Sequence, residues 1–416
     1  MSAAFSVRTL LGRLALIGLT ALVAWKALAF ALGDLLPDAG ADTTVTLDPG
    51  NSVAVLALSR HAASAEAEAE APARALHAVR SVLATRPADG RLFRVLAQLD
   101  SSDVSIAMRR WQAAIQLRPA DVEARVWLAD EAVSRQDYVT AMRHSDAVLR
   151  VSPQHAERLF PIFSQWLEAG TGVQALGDTL QHRPPWRRSF IDYVARTGDE
   201  KSLYPFAQVL QTLRGGPAPA DQEEARPIVN RLVVNGDFEL AYLLWRTVVP
   251  PVAGPASMLY NGSFALPATG AAFDWTLRST IGAAVSVEAD GPDHPDALCL
   301  RFQGGRVAEI GVGQILLLPP GTYRIAGQVR QEDMQSPRGL EWRLDCLGET
   351  PHAVGSAILP NGTQDWGGFA FDVTVPAQDC RAQRLQLATR ARIPAEQDVD
   401  GSAWFDNLSI DVPPAP

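Results

Sequence analysis

The sequence predicts a multidomain chain in which helices come first and an antiparallel β-sandwich or jelly roll comes last. Three observations predict this: an apolar stretch near the N-terminus, a helical periodicity in the middle, and alternating apolar residues in the last third. Apolar residues make up 47% of the 416 residues and charged residues 20%, which is globular composition. The formal net charge of −9 argues against a nucleic-acid partner, because binding to phosphates needs a basic surface.

Residues 1–38 are predicted to form a cytoplasmic tail and a membrane anchor. The apolar run over residues 10–32 is long enough to cross a hydrocarbon core of about 30 Å. Arg8 and Arg13 precede the apolar core of this stretch at residues 14–30, which only Lys26 interrupts, and acidic residues follow it. The positive-inside rule therefore places the N-terminus in the cytoplasm and the body outside it. The alternative is a cleaved signal peptide, since Ala-Leu-Ala at residues 27–29 fits a cleavage pattern.

Residues 39–61 are polar and are predicted to be a linker, after which a helical pattern repeats. Pro87, Pro119 and Pro153 lie 32 and 34 residues apart, and each follows an amphipathic stretch. A proline at this period ends the second helix of a pair and starts the next unit. Over residues 62–250 the pattern resembles an α-solenoid of tetratricopeptide repeats, whose concave surface would dock a protein partner. The alternative is that the helices only space the next domain from the membrane.

Beyond a proline- and glycine-rich linker near residue 250, period-two alternation replaces the helical spacing. Eight short strands separated by Gly, Pro and Asp clusters are typical of a sandwich or jelly roll, here over residues 256–412. The predicted strands are Val285–Val287, Leu298–Phe302, Gln314–Leu318, Tyr323–Val329, Leu340–Leu344, Phe369–Val375, Arg384–Ala388 and Ala403–Ile410.

Short motifs frame this predicted domain. Asn-Gly-x-Phe opens it at residues 261–264, and Trp-Phe-Asp-Asn-Leu-Ser-Ile closes it at residues 404–410. Together with Pro-Pro-Gly-Thr-Tyr at residues 319–323, these motifs resemble the carbohydrate-binding-module-like jelly rolls of bacteria. The resemblance implies that the first and last strands pair and that residues 319–323 lead into a central strand. The resemblance predicts the fold better than it predicts a ligand, because proteins that share a fold can differ in function.

In that family a structural calcium often lies near the opening loop and the closing aspartate. Asp406 matches the closing carboxylate, and Asn261 and Ser263 match the opening loop. The acidic residue that usually follows the Phe is Ala265 here, which removes one hard carboxylate ligand. The resemblance therefore implies a structural calcium with a reduced ligand set, and no other cofactor. The alternative is that Asp406 caps a turn or binds backbone amides.

Sugar binding in this fold needs an exposed aromatic ring beside planar polar side chains. The aromatic candidates are Trp366, Trp342 and Tyr323, and the polar residues near them in sequence are Asp365, Glu341 and Arg343. Trp366 lies in a predicted glycine-rich loop and is the best candidate for exposure. Trp342 alternates with charged neighbours in a predicted strand, so the alternative for it is a core position.

Two of the three cysteines are predicted to form a disulfide. Cys346 ends one predicted strand and Cys380 precedes another. In an oxidising compartment the two could form a disulfide, and closing the loop between them would stabilise the fold by about 3–4 kcal/mol. Cys299 would be left over. The Cys-x-x-Gln pattern at residues 380–383, with the combined architecture, resembles membrane-anchored bacterial proteins associated with exopolysaccharide production.

The common catalytic motifs, G-x-S-x-G, the P-loop, the Rossmann glycine pattern, H-E-x-x-H and C-x-x-C, are absent from the sequence. The predicted function is a non-enzymatic scaffold of a bacterial inner membrane, with a periplasmic helical array that docks a protein and a sandwich that contacts polysaccharide. Its predicted role is in exopolysaccharide or envelope biogenesis. One alternative is an assembly factor that binds only protein. Another is a glycan-active hydrolase or lyase, since paired carboxylates can lie far apart in a chain.

Overall fold

The computed structural model describes residues 7–35, 45–46, 50–62, 69–101, 103–217, 219–249, 257–348 and 350–413. Within these residues helices come first and strands last, as predicted. The chain divides into two compact units, residues 1–159 and 160–416. Residues 250–256 and parts of the predicted linker at 39–61 lie outside the described residues, and the predicted domain limits stay predictions.

Thirteen α-helices lie in the described part of the chain. They are α1 (Val7–Leu35), α2 (Ser52–Ala62), α3 (Ala71–Thr85), α4 (Gly90–Leu99), α5 (Val104–Leu117), α6 (Val122–Ser134), α7 (Tyr138–Val151), α8 (Ala156–Ala169), α9 (Val173–Leu180), α10 (Arg187–Thr197), α11 (Glu200–Thr212), α12 (Gln222–Asn235) and α13 (Phe238–Val248).

Aspartate starts many of these helices. Six of them follow an aspartate whose carboxylate accepts a hydrogen bond from a first-turn backbone N–H: Asp89, Asp103, Asp121, Asp137, Asp199 and Asp221. Such a cap satisfies a donor that the helix itself leaves unpaired, and is worth about 1 kcal/mol.

The predicted helix-ending prolines are found where the periodicity places them. Helices α3, α5 and α7 end two residues before Pro87, Pro119 and Pro153, respectively. Consecutive helices from α3 to α7 pack against one another. The finer identification of these helices as a tetratricopeptide solenoid stays a prediction.

The prediction of a membrane anchor at residues 1–38 is wrong, because the structure shows no helix suited to crossing a membrane in its described part. In the described part of the chain, no helix combines the length and the apolar character needed to cross a bilayer. The predicted single-pass location in an inner membrane is therefore not supported. Residues 1–6 and 36–38 lie outside the described residues.

Ten strands are described in the second unit. They are β1 (Thr276–Leu277), β2 (Ala283–Glu288), β3 (Ala297–Arg306), β4 (Val312–Leu316), β5 (Gly321–Gln335), β6 (Leu340–Leu347), β7 (His352–Leu359), β8 (Gly362–Val375), β9 (Ala382–Thr389) and β10 (Asp398–Asp411).

These strands form an antiparallel β-sandwich, as predicted. The first sheet has the order β1-β4-β9-β6-β7 and the second sheet the order β2-β3-β10-β5-β8. Apolar side chains alternate along the strands and meet between the sheets, where Trp275, Trp342 and Phe405 are fully buried. Burying a large apolar side chain contributes about 1.5–3 kcal/mol, so this core holds the two sheets together.

The opening segment of the domain bonds the last strand, but the first and last strands do not pair as the resemblance implies, because β1 pairs with β4 and β10 pairs with β3 and β5. The backbone N–H of Met258 donates to the carbonyl of Ile410 (3.2 Å), and that of Leu408 donates to the carbonyl of Gly262 (2.9 Å). A Cβ at Gly262 would lie 1.8 Å from the Leu408 oxygen, so only glycine allows this approach. Residues 319–323 lead into β5, which lies between β10 and β8.

The predicted disulfide is confirmed. Cys346 on β6 and Cys380 just before β9 are bonded, with 4.9 Å between their Cα atoms. Cys299 on β3 is a free and buried thiol. The bond ties a central strand of the first sheet to the segment that leads into its neighbouring strand.

Helices α12 and α13 pack against the sandwich within the second unit. The rings of Tyr242 and Trp245 on α13 contact Phe273, with centroid distances of 5.2 and 5.7 Å. Trp245 also meets Tyr260 edge-on at 5.1 Å. These four aromatic side chains form a contact that joins the last helix to the segment before β1.

Candidate functional site

A groove with a volume of about 430 Å³ lies on the outer face of the first sheet. Val312 and Leu316 of β4 point into the core, so Gly313 between them faces the groove without a side chain. Its neighbours across the sheet are Thr276 on β1 and Gln386 on β9. A Cβ at Gly313 would lie 2.9 Å from the Leu385 carbonyl oxygen, so this glycine allows β9 to approach β4 closely, and it also leaves the floor of the groove without a side chain.

Planar polar side chains form one wall of the groove. Gln386 lies opposite Arg343 of β6 in the sheet register. The Gln386 amide donates to Asp345 (2.5 Å), and Arg343 Nε pairs with the same carboxylate at 2.9 Å. Arg343 also lies 3.5 Å from Glu341. This network fixes the orientation of the Gln386 amide and the Arg343 guanidinium at the surface of the groove.

The next row of the sheet carries a second arginine. Arg384 on β9 lies between Ile315 of β4 and Asp345 of β6 in the register. Its side chain is exposed and lines the groove. Within the described part of the chain, no hydrogen bond or ion pair engages its guanidinium. Arg384 therefore brings a charge to the groove that the fold itself does not neutralise.

The loop at the edge of the groove is held from two sides. Ala272 lines the groove, and its carbonyl accepts a hydrogen bond from the Ile315 N–H of β4 (3.1 Å). Its own N–H donates to the Asn230 side chain of α12 (2.9 Å), and the Asn230 amide donates to the Gly270 carbonyl (3.2 Å). A helix and a strand thus fix the position of this edge together.

Two of the aromatic residues predicted to bind sugar lie in the core. Trp342 is 0% exposed and packs edge-on against Trp275 and Phe405. Tyr323 is 5% exposed, and its hydroxyl donates to the Pro319 carbonyl (2.8 Å). Neither ring offers a face to a sugar, because both point between the sheets. For Trp342 the alternative reading, a core position, is the one observed.

Trp366 lies in β8 and not in the predicted loop, because residues 362–375 pair with β5 despite their glycines. Its ring is half-buried on the outer face of the second sheet and stacks on His294 at 3.7 Å. Its indole N–H donates to Asp290 (2.9 Å). Asp365 beside it is exposed and accepts a hydrogen bond from the Trp366 backbone N–H (2.9 Å). The sugar-binding role of these two residues stays a prediction.

Trp404 on β10 belongs to the same outer face. It is 7% exposed, and the Arg330 guanidinium lies 4.3 Å above its ring. Its indole N–H donates to Glu288 (3.3 Å). The neighbouring Arg301 lowers the pKa of Glu288 by hydrogen bonding to its carboxylate. Burial raises the pKa of the Cys299 thiol beneath them to about 12. The polar atoms of this face are largely engaged within the protein.

The residues proposed for calcium do not fit an oxygen cage. The Asn261 amide donates to and accepts from the Leu266 backbone (2.8 and 3.1 Å). Asp406 is buried, lies 2.7 Å from His294, and accepts from the Asn407 N–H (2.6 Å). Ser263 adds only a hydroxyl, whereas calcium takes six to eight oxygen ligands. The structure assigns these side chains to the loop and to the histidine, and we assign no role to calcium.

Sequence reasoning missed the residues that form the groove. Arg384 and Gln386 lie in the predicted strand at residues 384–388, and Gly313 directly precedes the predicted strand at residues 314–318, with no role predicted for any of them. Arg343 was considered only as a polar neighbour of Trp342. The signal available was a glycine at the start of a predicted strand, where a ligand or another backbone can approach closely. The meeting of these residues follows from the strand order β4-β9-β6, which joins segments far apart in the sequence.

The sequence matches no protein-family model and no curated protein. Solved structures of carbohydrate-binding modules match the C-terminal β region. A structure described as "CBM4 structure and function" has 16% identity, 37% coverage of this chain and 98% of its own, and a TM-score of 0.29. The CBM22-1 xylan-binding domain from Paenibacillus barcinonensis Xyn10C has 16% identity, coverages of 37% and 94%, and a TM-score of 0.28. Values this low carry no inference about what this chain binds.

Proposed function

We propose that the C-terminal sandwich is a non-catalytic carbohydrate-binding domain and that a polysaccharide chain lies in the groove of the first sheet. The observation that carries this proposal is the glycine floor at Gly313, flanked by the oriented Gln386 amide and Arg343 guanidinium. Small-ligand sites are concave surfaces with a few precisely held polar groups, and this groove has that form.

The polar chemistry of the wall suits sugar hydroxyls. A sugar presents adjacent hydroxyl groups that each donate and accept, and planar amide and guanidinium groups can bond two of them at once. Because Asp345 holds both Gln386 and Arg343, little side-chain freedom remains to be lost on binding. The flat, glycine-lined floor leaves room for a sugar ring above the sheet.

A binding role fits this groove better than hydrolysis. Glycosidases flank the scissile bond with two carboxyl groups. Among the described residues that line the groove, Glu309 is the one carboxylate, and it pairs with Arg278 at 2.9 Å. This arrangement supports a domain that holds a glycan without cleaving it.

Filling the floor of the groove tests the proposal. Thr276→Phe would place an aromatic ring over Gly313, its cross-strand neighbour, from an exposed position. We expect the full chain to bind at least one polysaccharide of a broad panel in native affinity electrophoresis. Thr276→Phe should then remove that retardation.

Two controls make the result specific. Thr374→Phe adds the same ring at an exposed position on the second sheet and should leave binding intact. Trp366→Ala tests the site predicted from the sequence and should also leave binding intact. Failure of the folded native chain to bind any polysaccharide would reject the proposal in favour of a protein-binding assembly factor. The predicted docking of a protein on the helices stays a prediction.

A further inference from the structure

We propose that the groove selects polysaccharides whose sugars carry carboxylate groups, such as uronic acids, and that Arg384 is the residue that recognises the carboxylate. This inference rests on the proposed function of the groove. It extends that proposal from sugar hydroxyls, which Gln386 and Arg343 suit, to a charged substituent.

The first argument is the absence of any internal partner for the Arg384 charge. Asp345 lies directly opposite Arg384 in the β9–β6 register, where side chains can normally pair. The Asp345 carboxylate instead bonds Arg343 and Gln386. No acid among the described residues forms an ion pair with Arg384, so its guanidinium remains available to a ligand.

The second argument is the balance of charge along the groove. Glu309 pairs with Arg278 at 2.9 Å on the opposite rim. Glu341, beyond Arg343, also lies 3.6 Å from Arg390. The carboxylates in and beside the groove are therefore matched by other arginines, and Arg384 is the surplus cation of this part of the sheet.

The third argument is the contrast with the chain as a whole. The formal net charge is −9, so the protein repels polyanions at long range. Recognition of an acidic polymer must then come from a local and stereospecific contact. An arginine supplies this, because its planar donors match both oxygens of a carboxylate. An acidic peptide is a less suitable ligand, because the hydroxyl-bonding wall beside Arg384 would remain unused.

The experiment compares matched polymers. Polygalacturonate, alginate and hyaluronan are each tested beside their carboxyl-reduced forms, in which each uronic acid becomes the neutral hexose and the linkages stay the same. Affinities of the full chain are measured by isothermal titration at low and moderate salt. We expect at least one carboxylated polymer to bind about tenfold more tightly than its reduced form, the value of one charge-assisted contact at an accessible site.

Arg384→Gln should lower the affinity for the carboxylated polymer to that of the reduced form and leave the reduced form unaffected. Arg324→Gln removes one exposed arginine from the second sheet and should change neither, which controls for net charge. Circular dichroism confirms that both variants fold.

The outcomes separate this inference from the proposed function. Equal binding of both polymer forms, or unchanged binding by Arg384→Gln, would overturn the carboxylate selection while sugar binding stands. Displacement by poly-L-glutamate as effective as by the acidic polysaccharide would overturn it in favour of an acidic peptide. If no polymer binds, charged or reduced, the proposed function itself fails and the inference fails with it.

Discussion

The two outer faces of the sandwich use polar and aromatic side chains in opposite ways. On the second sheet, the Trp366 ring stacks on His294 and the Trp404 ring lies under Arg330. On the first sheet, no described aromatic ring lines the groove, and Arg384 carries a charge without an internal partner. Gln386 and Arg343 of the first sheet are also held by Asp345, so the two faces differ in Arg384, which has no partner among the described residues, and in the covered rings of the second face.

This difference indicates that a face is available to a ligand to the extent that its charged groups and aromatic rings lack partners within the protein. A tryptophan whose N–H is bonded and whose ring is covered contributes to stability. An arginine without an internal partner contributes little to stability and remains available for binding. Substitutions on the second face should therefore change unfolding, and substitutions on the first face should change affinity.

The largest expected effect is on the second face. Trp404→Ala removes a nearly buried ring together with its contacts to Arg330 and Glu288, and should cost about 3–5 kcal/mol in the free energy of unfolding. Denaturant unfolding of the full chain, followed by tryptophan fluorescence, measures the loss.

The matched variant is Trp366→Ala, whose half-buried ring should cost clearly less. Polysaccharide affinity of the folded protein should be unchanged in both variants. A loss of affinity with unfolding unchanged, in either variant, would move the binding site to the second face and break the comparison.

A smaller effect is expected where a helix supports the groove. Asn230→Ala removes two side-chain hydrogen bonds to the groove-edge loop, each worth about 0.5–1.5 kcal/mol. Because Ala272 is then less firmly placed, polysaccharide affinity should fall by about threefold to tenfold. Titration of the variant against the best-bound polymer measures this.

The control on the same helix is Asn235→Ala. Asn235 is exposed, and no described residue forms a hydrogen bond with its side chain. It should bind as tightly as the native chain. An Asn230→Ala variant with native affinity would show that the loop needs no support from α12.

The smallest effect is a pH dependence on the second face. Arg301 lowers the pKa of Glu288 below its usual value near 4.5, so the charged pair stabilises the fold above that pH. This stability is lost as the pH falls through the lowered pKa. Since the pair is partly exposed, it is worth less than about 1 kcal/mol.

Glu288→Gln keeps a side-chain oxygen for Trp404 and removes the charge. The melting temperature of the native chain should exceed that of the variant at pH 6, and the two should converge at pH 3. A difference that grows on acidification would contradict the assignment. Polysaccharide affinity at pH 7 should be the same for both, because Glu288 lies on the other sheet.

Much of the sandwich could be predicted from the sequence, because period two is a local signal. Each of the eight predicted strands overlaps an observed strand. The two strands that were missed give weak signals: β1 has two residues, and β7 is an edge strand whose residues are mostly exposed or partly exposed on both faces. Trp366 was placed in a loop because Gly367 and Gly368 follow it, but pairing with β5 makes this segment a strand.

The site could not be predicted in the same way. Arg384 and Gln386 flank the core residue Leu385, and the alternation of apolar and polar residues predicts only that both side chains face solvent. Their meeting with Gly313 and Arg343 depends on strand order, which composition and period do not contain. Whether an arginine is paired is likewise a property of three-dimensional neighbours, so the surplus charge became visible only in the structure.

The contact between the last helix and the sandwich has a consequence for modularity. A fragment cut at residue 256 would uncover Tyr260 and Phe273, which α13 now covers with Tyr242 and Trp245. It would also lose the anchor that Asn230 gives to the groove edge. The portable element of this protein is therefore the sandwich together with α12 and α13, and grafting that whole element onto another host should preserve the groove.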